Sequence, residues 1–455
     1  MRRPDGPGTG GRGAGGASPC ELLAVSFAYP PSALPRAVQV MRLLKNLGTR
    51  TTLVCADHEE KRVRKDPTLV AEAESFLAHC LRVPFAPRGW RGLISRAAYR
   101  FDLPAIDKTP DHFRPWKPAV MRAVAAFARE RGYAPDVLAS FGFPMSDHLI
   151  GLALKRRLRV PWVAHFSDPW VDNPFTRHDP LTRRLNLSLE GKVLAAADRL
   201  VFTSRETLEL VMSKYPRGLK AKARVVAHAY DPEQFPAREG AAGGPLVIRY
   251  LGDLYNHRSP EPLFRALAHT LSERPQLLSG VRFEIVGSTY ELDLGAMGLN
   301  ALPEGMVAVK PSVKYLDSLT LMAGADGLLV IDAPAEVSVF LPSKLIDYVG
   351  AGRPVLGITP PGTAADLIRR LGGWVADPSD VPAVAAALQT FVAYLRERQG
   401  AREPWGDAGV RRGFAVATVS REFEGILEEL LGRPVVGTRE AARLSPEGFS
   451  RRGDS

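Results

Sequence analysis

Short apolar runs alternate along this chain with segments in which apolar residues recur every three or four positions. Runs such as "LLAVSFA" (22–28) are typical of buried strands, whereas "PAVMRAVAAFARERG" (118–132) has the spacing of an amphipathic helix. The predicted strands are 22–28, 51–56, 136–140, 161–166, 199–204, 223–229, 246–252, 282–287, 306–310, 327–331, 353–358 and 372–376. Strands that alternate with helices predict parallel sheets covered on both faces. The predicted fold class is therefore α/β, with two doubly wound halves.

The two halves meet at a stretch rich in proline and glycine, "DPEQFPAREGAAGGP" (231–245), which is suited to a linker. A chain of 455 residues also exceeds one ordinary core, so two domains are expected. The glycine-rich N-terminus lacks the apolar segment of a signal peptide and predicts a disordered tail. The predicted organisation is a disordered tail at 1–20, a first domain at 21–235, a second domain at 236–413, a helix at 414–432 and a disordered tail at 433–455.

The positive charge is concentrated in the first half. Residues 1–235 contain 37 Lys and Arg against 23 Asp and Glu, whereas the remainder contains 23 against 26. Such asymmetry suggests an anionic partner for the first domain, either nucleic acid or a membrane leaflet, although a charge that only serves solubility is a further alternative. No recognition helix, RNP motif or zinc finger is present, so we expect no nucleic acid partner.

The cysteine content and the hydropathy argue against a disulfide-rich, a zinc-binding and a membrane-spanning protein. Cys20, Cys55 and Cys80 are too few and too scattered for a disulfide framework or a zinc site, so a cytoplasmic protein is expected. No apolar run reaches 18 residues, and the sequence therefore predicts no membrane-spanning segment.

The segment "PSKLIDYVGAGRPVL" (342–356) places two charges in apolar surroundings. Pro342 and Ser343 predict a helix start with Ser343 as a capping residue. Lys344 and Asp347 then share one face near the helix N-terminus, where unpaired N–H groups favour anions. A solvated ion pair between Lys344 and Asp347 is the alternative.

A second cation follows the first strand of the second half. Gly252 ends the run "LVIRYLG" and permits close backbone approach, and Arg258 lies a few residues beyond it. Ligands bind outside the carboxyl ends of strands in doubly wound sheets, so Arg258 and Lys344 are expected to converge on one crevice. Two cations beside a helix N-terminus suit a diphosphate, and Asp347 can accept hydrogen bonds from ribose hydroxyls.

Other phosphate and metal signatures are missing. Neither opening strand is followed by G-x-G-x-x-G, no P-loop lysine motif occurs, and no Asp-x-Asp pair follows a strand. The sequence thus predicts a nucleotide diphosphate site with no metal and no cofactor.

Three segments of the second half resemble the donor-binding half of glycosyltransferase family 4, which has the GT-B fold of two facing Rossmann-like domains. They are "YLGDLYNHRSPEPLFRAL", "VKYLDSLTLMAGADGLLVI" and "LPSKLIDYVGAGRPVL". In the first half, "PWVAHFSDPW" resembles an "FRDPW"-type motif of a bacterial polysaccharide subgroup. The resemblance extends over residues 22–431.

The resemblance implies a function and roles for the predicted site residues. It implies a retaining transfer of sugar from a nucleotide diphosphate sugar, with Arg258 on the diphosphate and Asp347 on the ribose. It also implies that the last helix crosses back to the first domain. Asp168 would act from the acceptor side, beside Ser167 and Trp170. The structural alternatives are that Asp168 caps the next loop and that Trp170 only packs.

Some positions depart from the family pattern. Val339 stands where many members have a first glutamate, Asp347 replaces a second glutamate, and Asp253 replaces an arginine. These departures are consistent with a specialised acceptor. They also leave two alternatives, a catalytically inactive subunit that binds nucleotide or a partner protein, and a sugar-nucleotide epimerase of the same fold.

The acceptor is suggested by "RGWRGLISRAAYRF" (88–101), which mixes arginines with apolar residues at helical spacing. This pattern is typical of an interfacial helix on an anionic leaflet, and an ordinary helix packed on its own domain is the alternative. On the membrane interpretation, the acceptor is a lipid-linked sugar in envelope or exopolysaccharide assembly, with the protein peripheral on the inner face of the membrane. A saccharide acceptor is the other possibility.

Overall fold

The computed structural model describes residues 19–57, 64–85, 103–236, 244–255, 258–401 and 403–435, together with the single residues 97 and 100. Within these residues the chain forms two parallel sheets that are covered by helices, as the alternating pattern predicted. Most of the predicted interfacial helix 88–101, part of the predicted linker and nearly all of both predicted tails lie outside the described residues.

The first sheet has seven strands in the order β3-β2-β1-β4-β5-β6-β7. They are β1 (Glu21–Val25), β2 (Arg50–Asp57), β3 (His79–Pro84), β4 (Val137–Gly142), β5 (Trp162–Phe166), β6 (Arg199–Phe202) and β7 (Ala223–Val225). All six runs predicted in the first half contain strands, but β3 was not predicted. It lies at the sheet edge and is only partly buried, so the polar residues in "HCLRVP" break its apolar run.

The second sheet has six strands in the order β10-β9-β8-β11-β12-β13. They are β8 (Leu246–Leu251), β9 (Val281–Val286), β10 (Val307–Lys310), β11 (Gly327–Ile331), β12 (Val355–Ile358) and β13 (Trp374–Ala376). Each corresponds to one predicted run. In both sheets the order of the strands changes direction beside the first strand. The strands that follow β1 are added first on one side of it and then, from β4 onwards, on the other, and β8 and β11 repeat this arrangement. Such a switch point opens a crevice at the carboxyl ends of the strands.

Fifteen α-helices occur in the described residues, and most of them cover the faces of the two sheets. Those up to residue 220 are α1 (Pro35–Lys45), α2 (Val70–Ser75), α3 (Pro104–Asp107), α4 (Lys117–Arg131), α5 (Ser146–Leu158), α6 (Pro180–Ala196), α7 (Arg205–Met212) and α8 (Arg217–Lys220). The later ones are α9 (Glu261–Glu273), α10 (Tyr315–Ala323), α11 (Ser343–Ala351), α12 (Thr363–Leu371), α13 (Val381–Glu397), α14 (Ala408–Gly413) and α15 (Val416–Leu431).

The last helix, α15, packs on the first domain although it follows the second in sequence. Its apolar side chains, including Phe423 and Leu427, belong to the same buried cluster as strands β1, β2 and β4. Glu424 also accepts a hydrogen bond from the backbone N–H of Gly48, at 2.6 Å. The two domains are therefore joined both by the linker and by this returning helix.

Cys20 and Val435, which the prediction placed in the two tails, pack on the first domain. Cys20 is fully buried, and its carbonyl, directly before β1, accepts from the backbone N–H of Arg50 at 2.8 Å. Val435 packs against the cluster under α15 and donates its N–H to Glu428 at 3.0 Å. Among the described helices, none has both the length and the apolarity needed to cross a membrane.

Candidate active site

A cavity of about 470 Å³ lies between the two domains at the carboxyl ends of their strands. The first domain contributes Arg42, Lys65 and Asp66 to its walls. The second domain contributes five of the nine predicted site residues, namely Gly252, Arg258, Ser343, Lys344 and Asp347. The other four, Pro342, Ser167, Asp168 and Trp170, are not among the residues that line this cavity.

Lys344 and Arg258 both reach the cavity, as expected from their positions after β11 and β8. Lys344 Nζ donates to the hydroxyl of Tyr250 at 2.7 Å, and Arg258 forms an ion pair with Asp332 at 3.2 Å. Burial, reinforced by the nearby charge of Arg258, lowers the pKa of Lys344 to about 7. Arg258 Nε is buried and has no hydrogen-bond partner among the described residues. Two cations with an unpaired donor make a site suited to an anion.

Gly252 is required where it stands. Its φ of 131° lies in the region that favours glycine, and a Cβ there would collide with Lys344 Nζ. A larger residue would therefore displace the lysine from the cavity.

The start of α11 differs from the prediction for Ser343. Pro342 occupies the N-cap position and Ser343 is the first helical residue, so the expected Ser343 cap is wrong. Proline has no side-chain acceptor, and no side chain caps this helix. Because Ser343 and Lys344 line the cavity, the helix N-terminus is directed towards the space that a ligand would fill.

Asp347 is buried and bound to the first domain. Its Oδ1 accepts from Arg42 at 3.2 Å and from the hydroxyl of Tyr315 at 3.0 Å. Arg42 also donates to the carbonyl of Ala229 and to Tyr315. The alternative of a solvated ion pair between Lys344 and Asp347 is wrong, because each has different partners and Asp347 is withdrawn from solvent.

The loop that contains Val339 is held between the domains. The Val339 carbonyl accepts from the hydroxyls of Ser204 at 2.8 Å and Thr207 at 2.9 Å, both at the start of α7. The neighbouring Phe340 stacks on Phe175 of the first domain, with ring centroids 5.1 Å apart. Val339 itself is buried, so no carboxylate occupies the position where the family pattern has its first glutamate.

The predicted acceptor-side residues follow β5. Trp170 is buried in the core of the first domain and donates its indole N–H to Asn186 at 3.0 Å, so it packs and does not present a face to a sugar. Ser167 Oγ donates to Asp168 Oδ2 at 2.9 Å. The structure shows no bond from Asp168 to the next loop within the described chain, so the capping alternative finds no support. Burial raises the pKa of the Asp168 carboxyl, and Ser167 and Arg36 oppose this rise.

Several residues of the site were missed by the sequence reasoning. Asp332 directly follows β11, and the rule about residues after strands was sufficient to find it. Tyr250 and Tyr315 appear as ordinary apolar positions of β8 and α10. Arg42 lies on an amphipathic helix, where its sequence neighbours give no sign that it reaches the other domain.

The described residues contain no group of three or more His, Cys, Asp and Glu side chains that could hold a metal ion.

Comparisons with known proteins agree with this architecture. Residues 34–220 match the family of the Glycosyl transferase 4-like domain. Over 221 residues the chain is 28% identical to D-inositol 3-phosphate glycosyltransferase of Streptomyces avermitilis, a match that covers 44% of this chain and 46% of that protein. The chain thus aligns with about half the length of this curated relative.

Two solved structures share the whole two-domain arrangement. Anabaena Alr3699/HepE in complex with UDP and glucose has a TM-score of 0.63 at 14% identity, covering 90% of this chain and 100% of that chain. Sucrose-phosphate synthase from Thermosynechococcus elongatus has a TM-score of 0.64 at 14% identity, covering 91% and 99%. At such low identity the likeness shows the fold alone. Together with the matched domain, it shows that residues 34–220 form a Glycosyl transferase 4-like domain within a chain that has the GT-B fold.

Proposed function

We propose that this protein transfers a sugar from a nucleotide diphosphate sugar to an acceptor hydroxyl, with retention at the anomeric carbon. The observation that carries the proposal is the convergence of Arg258, Lys344 and an uncapped helix N-terminus on one interdomain cavity. The fold is shared with Alr3699/HepE, which was solved with UDP and glucose. The family resemblance supports the retaining course.

The proposed chemistry depends on positioning and on charge. The diphosphate would lie against Arg258 and Lys344, and its arrival would favour the protonated lysine because opposite charges raise the pKa of an ammonium group. As the bond to the sugar breaks, negative charge grows on the departing diphosphate, and fixed cations stabilise it. These cations support a reaction without a bound metal or cofactor.

Asp347 and Asp168 have proposed roles on either side of the sugar. Oδ1 of Asp347 accepts hydrogen bonds from Arg42 and Tyr315, so we assign Oδ2 as the acceptor for a ribose hydroxyl. Asp168 would orient the acceptor hydroxyl, while an oxygen of the leaving phosphate takes its proton. Because Asp168 lies outside the cavity walls, this role requires the acceptor to reach the carboxyl end of β5.

The test is UDP release from UDP-glucose, with and without a bacterial lipid extract as a source of acceptor. We expect release to depend on the extract and to be lost in Lys344→Met. A lysine outside the cavity, Lys310, which pairs with Glu284, gives the matched control Lys310→Met. An α-anomeric product from the α-linked donor, measured by NMR, would support retention, and a β-anomer would contradict it.

A catalytically inactive subunit is the second candidate, and Val339 favours it. A buried valine whose carbonyl is tied to Ser204 and Thr207 cannot supply the carboxylate that the family pattern has there. Tight UDP binding without UDP release from any tested donor would establish this candidate. The presence of Arg258 and Lys344 in the cavity supports the transferase instead.

For the acceptor we propose a lipid-linked sugar at an anionic membrane surface, in envelope or exopolysaccharide assembly at the inner face of the cell membrane. Exposed apolar side chains of the first domain lie just after the predicted interfacial segment 88–101 and on a helix that contacts this region. Leu103 is 45% exposed, Ile106 49% and Leu181 57%. The helices α3 and α6 that carry Ile106 and Leu181 contact each other, and exposed Lys108 and Arg184 lie on or beside them. Apolar residues flanked by cations suit an anionic leaflet.

We expect the protein to pellet with vesicles that contain phosphatidylglycerol and to be released by high salt. Each cation near such a surface contributes about 1 kcal/mol, and salt screens that attraction. Leu103→Glu with Leu181→Glu should abolish pelleting. The matched control is Val309→Glu, which changes an exposed valine on the second domain. Equal pelleting with neutral vesicles, or none at low salt, would favour a soluble saccharide acceptor.

A further inference from the structure

Two cysteines that are distant in sequence lie side by side in the first domain. Cys55 is on β2 and Cys80 is on β3, and their Sγ atoms are 3.8 Å apart. In the register of the two strands, Cys80 is opposite Leu53 and Cys55 is opposite Arg82. Both thiols therefore point to the same face of the sheet, one diagonal step apart. The cysteines are far apart in sequence, and the pairing of β2 with β3 brings these two together.

The two thiols differ in exposure and in acidity. Cys55 is fully buried, whereas Cys80 lies on the edge strand and is partly exposed. The hydrogen bond from the Cys55 thiol lowers the pKa of Cys80, and the positive charge of Arg82 acts in the same direction. The same hydrogen bond, together with burial, raises the pKa of Cys55. Cys80 is thus the more accessible of the pair, and its lowered pKa favours the thiolate that attacks a disulfide.

We propose that Cys55 and Cys80 form a thiol–disulfide site that low-molecular-weight disulfides oxidise reversibly, with Cys80 as the attacking residue and Cys55 as the resolving residue. The proposal is independent of the proposed transfer reaction. A contact of 3.8 Å requires the sulfur atoms to approach to about 2.05 Å, the length of a disulfide bond. Because the two cysteines are diagonal neighbours, the bond also requires the backbone of β3 to move, and β3 lies at the sheet edge, where it is held on one side only.

The oxidation proceeds by two exchanges. The Cys80 thiolate attacks one sulfur of oxidised glutathione, so that a mixed disulfide forms and one glutathione thiolate leaves. Cys55 then gives its proton to water and attacks the Cys80 sulfur, which forms the protein disulfide and releases the second glutathione thiolate. In total, two protein thiols are oxidised and one molecule of oxidised glutathione is reduced to two thiols.

The third cysteine provides an internal control. Cys20 is fully buried, and burial, with a further contribution from the charge of Asp136, raises the pKa of its thiol to about 12. We therefore expect Cys20 to remain reduced under conditions that oxidise the pair.

The test is intact-mass spectrometry of the full chain after incubation with oxidised glutathione, followed by peptide mapping. The wild type should lose two hydrogens and give a peptide that links Cys55 to Cys80, and dithiothreitol should restore the mass. Cys55→Ser should stop at one glutathione on Cys80, because no resolving thiol remains. Cys80→Ser should leave Cys55 unmodified. The melting temperature of each variant shows whether it is folded.

Three results would overturn the proposal. One is a wild type that carries glutathione adducts and never loses two hydrogens. Another is modification of Cys55 in folded Cys80→Ser as fast as modification of Cys80 in the wild type. The last is oxidation of Cys20 at the rate of the pair, which would mean that the reaction occurs in unfolded chains.

Discussion

Replacing Lys344 by methionine should weaken UDP binding by about 10- to 150-fold, which corresponds to the roughly 1.5–3 kcal/mol of a charge-assisted hydrogen bond. Methionine has a similar length and retains the packing around Tyr250, so the loss reflects the ammonium group. Isothermal titration calorimetry with UDP measures it. Arg258→Met should weaken binding comparably, although it also leaves Asp332 without its ion-pair partner.

The pH dependence of UDP binding tests the role of Lys344 more specifically than the affinity at a single pH. Because the pKa of Lys344 in the free protein is lowered to about 7, the amine is increasingly neutral above that pH. A diphosphate binds the protonated form, so UDP affinity should fall from about pH 7 to about pH 9 and binding should take up a proton. Both effects should vanish in Lys344→Met and persist in Lys310→Met. A wild-type affinity that is constant over this range would contradict the placement of Lys344 on the diphosphate.

The second-domain part of the site was predictable because it is local in sequence. Gly252 and Arg258 follow β8 within seven residues and Lys344 follows β11 after the loop 332–341, and the carboxyl ends of parallel strands meet at one edge. Most of the twelve strands that were predicted are buried apolar runs, and the partly buried edge strands β7 and β10 still have apolar runs that mark them. The rule fails for β3, whose edge position tolerates polar residues.

The first-domain part was not predictable, because it depends on contacts between distant residues. Arg42 and Asp347 are 305 positions apart, and no local pattern on α1 distinguishes Arg42 from a surface arginine. Cys55 and Cys80 meet only through the pairing of β2 with the unpredicted β3. Trp170 illustrates the converse. A motif resemblance assigned it to the acceptor, while its burial is decided by the fold around it.

The Arg42–Asp347 contact leads to the largest expected effect on stability. Arg42→Met should lower the free energy of unfolding by about 3–5 kcal/mol, the range for removing one partner of a buried ion pair. The side chains of Arg42 and Asp347 are only 3% and 9% exposed, so loss of the guanidinium leaves the carboxylate largely shielded from bulk water. Chemical denaturation of the purified protein measures the change. Arg369→Met is the matched control, because Arg369 and Asp366 are 54% and 61% exposed, and it should change stability by less than about 0.5 kcal/mol.

We expect most of this loss of stability to come from the Asp347 carboxylate, which is left buried without its partner. Two measurements distinguish this effect from the loss of packing around Arg42. Burial raises the pKa of Asp347, whereas Arg42 lowers it, so Asp347 in Arg42→Met should bind its proton at higher pH than in the wild type. The folded variant then holds a proton that the unfolded chain releases, and its stability deficit should shrink as the pH is lowered. Adding Asp347→Asn should recover a large part of the loss at neutral pH, because no unpaired buried charge remains. A deficit that neither acid nor the second substitution reduces would show that Arg42 acts through packing, and that its ion pair with Asp347 does not hold the domains together.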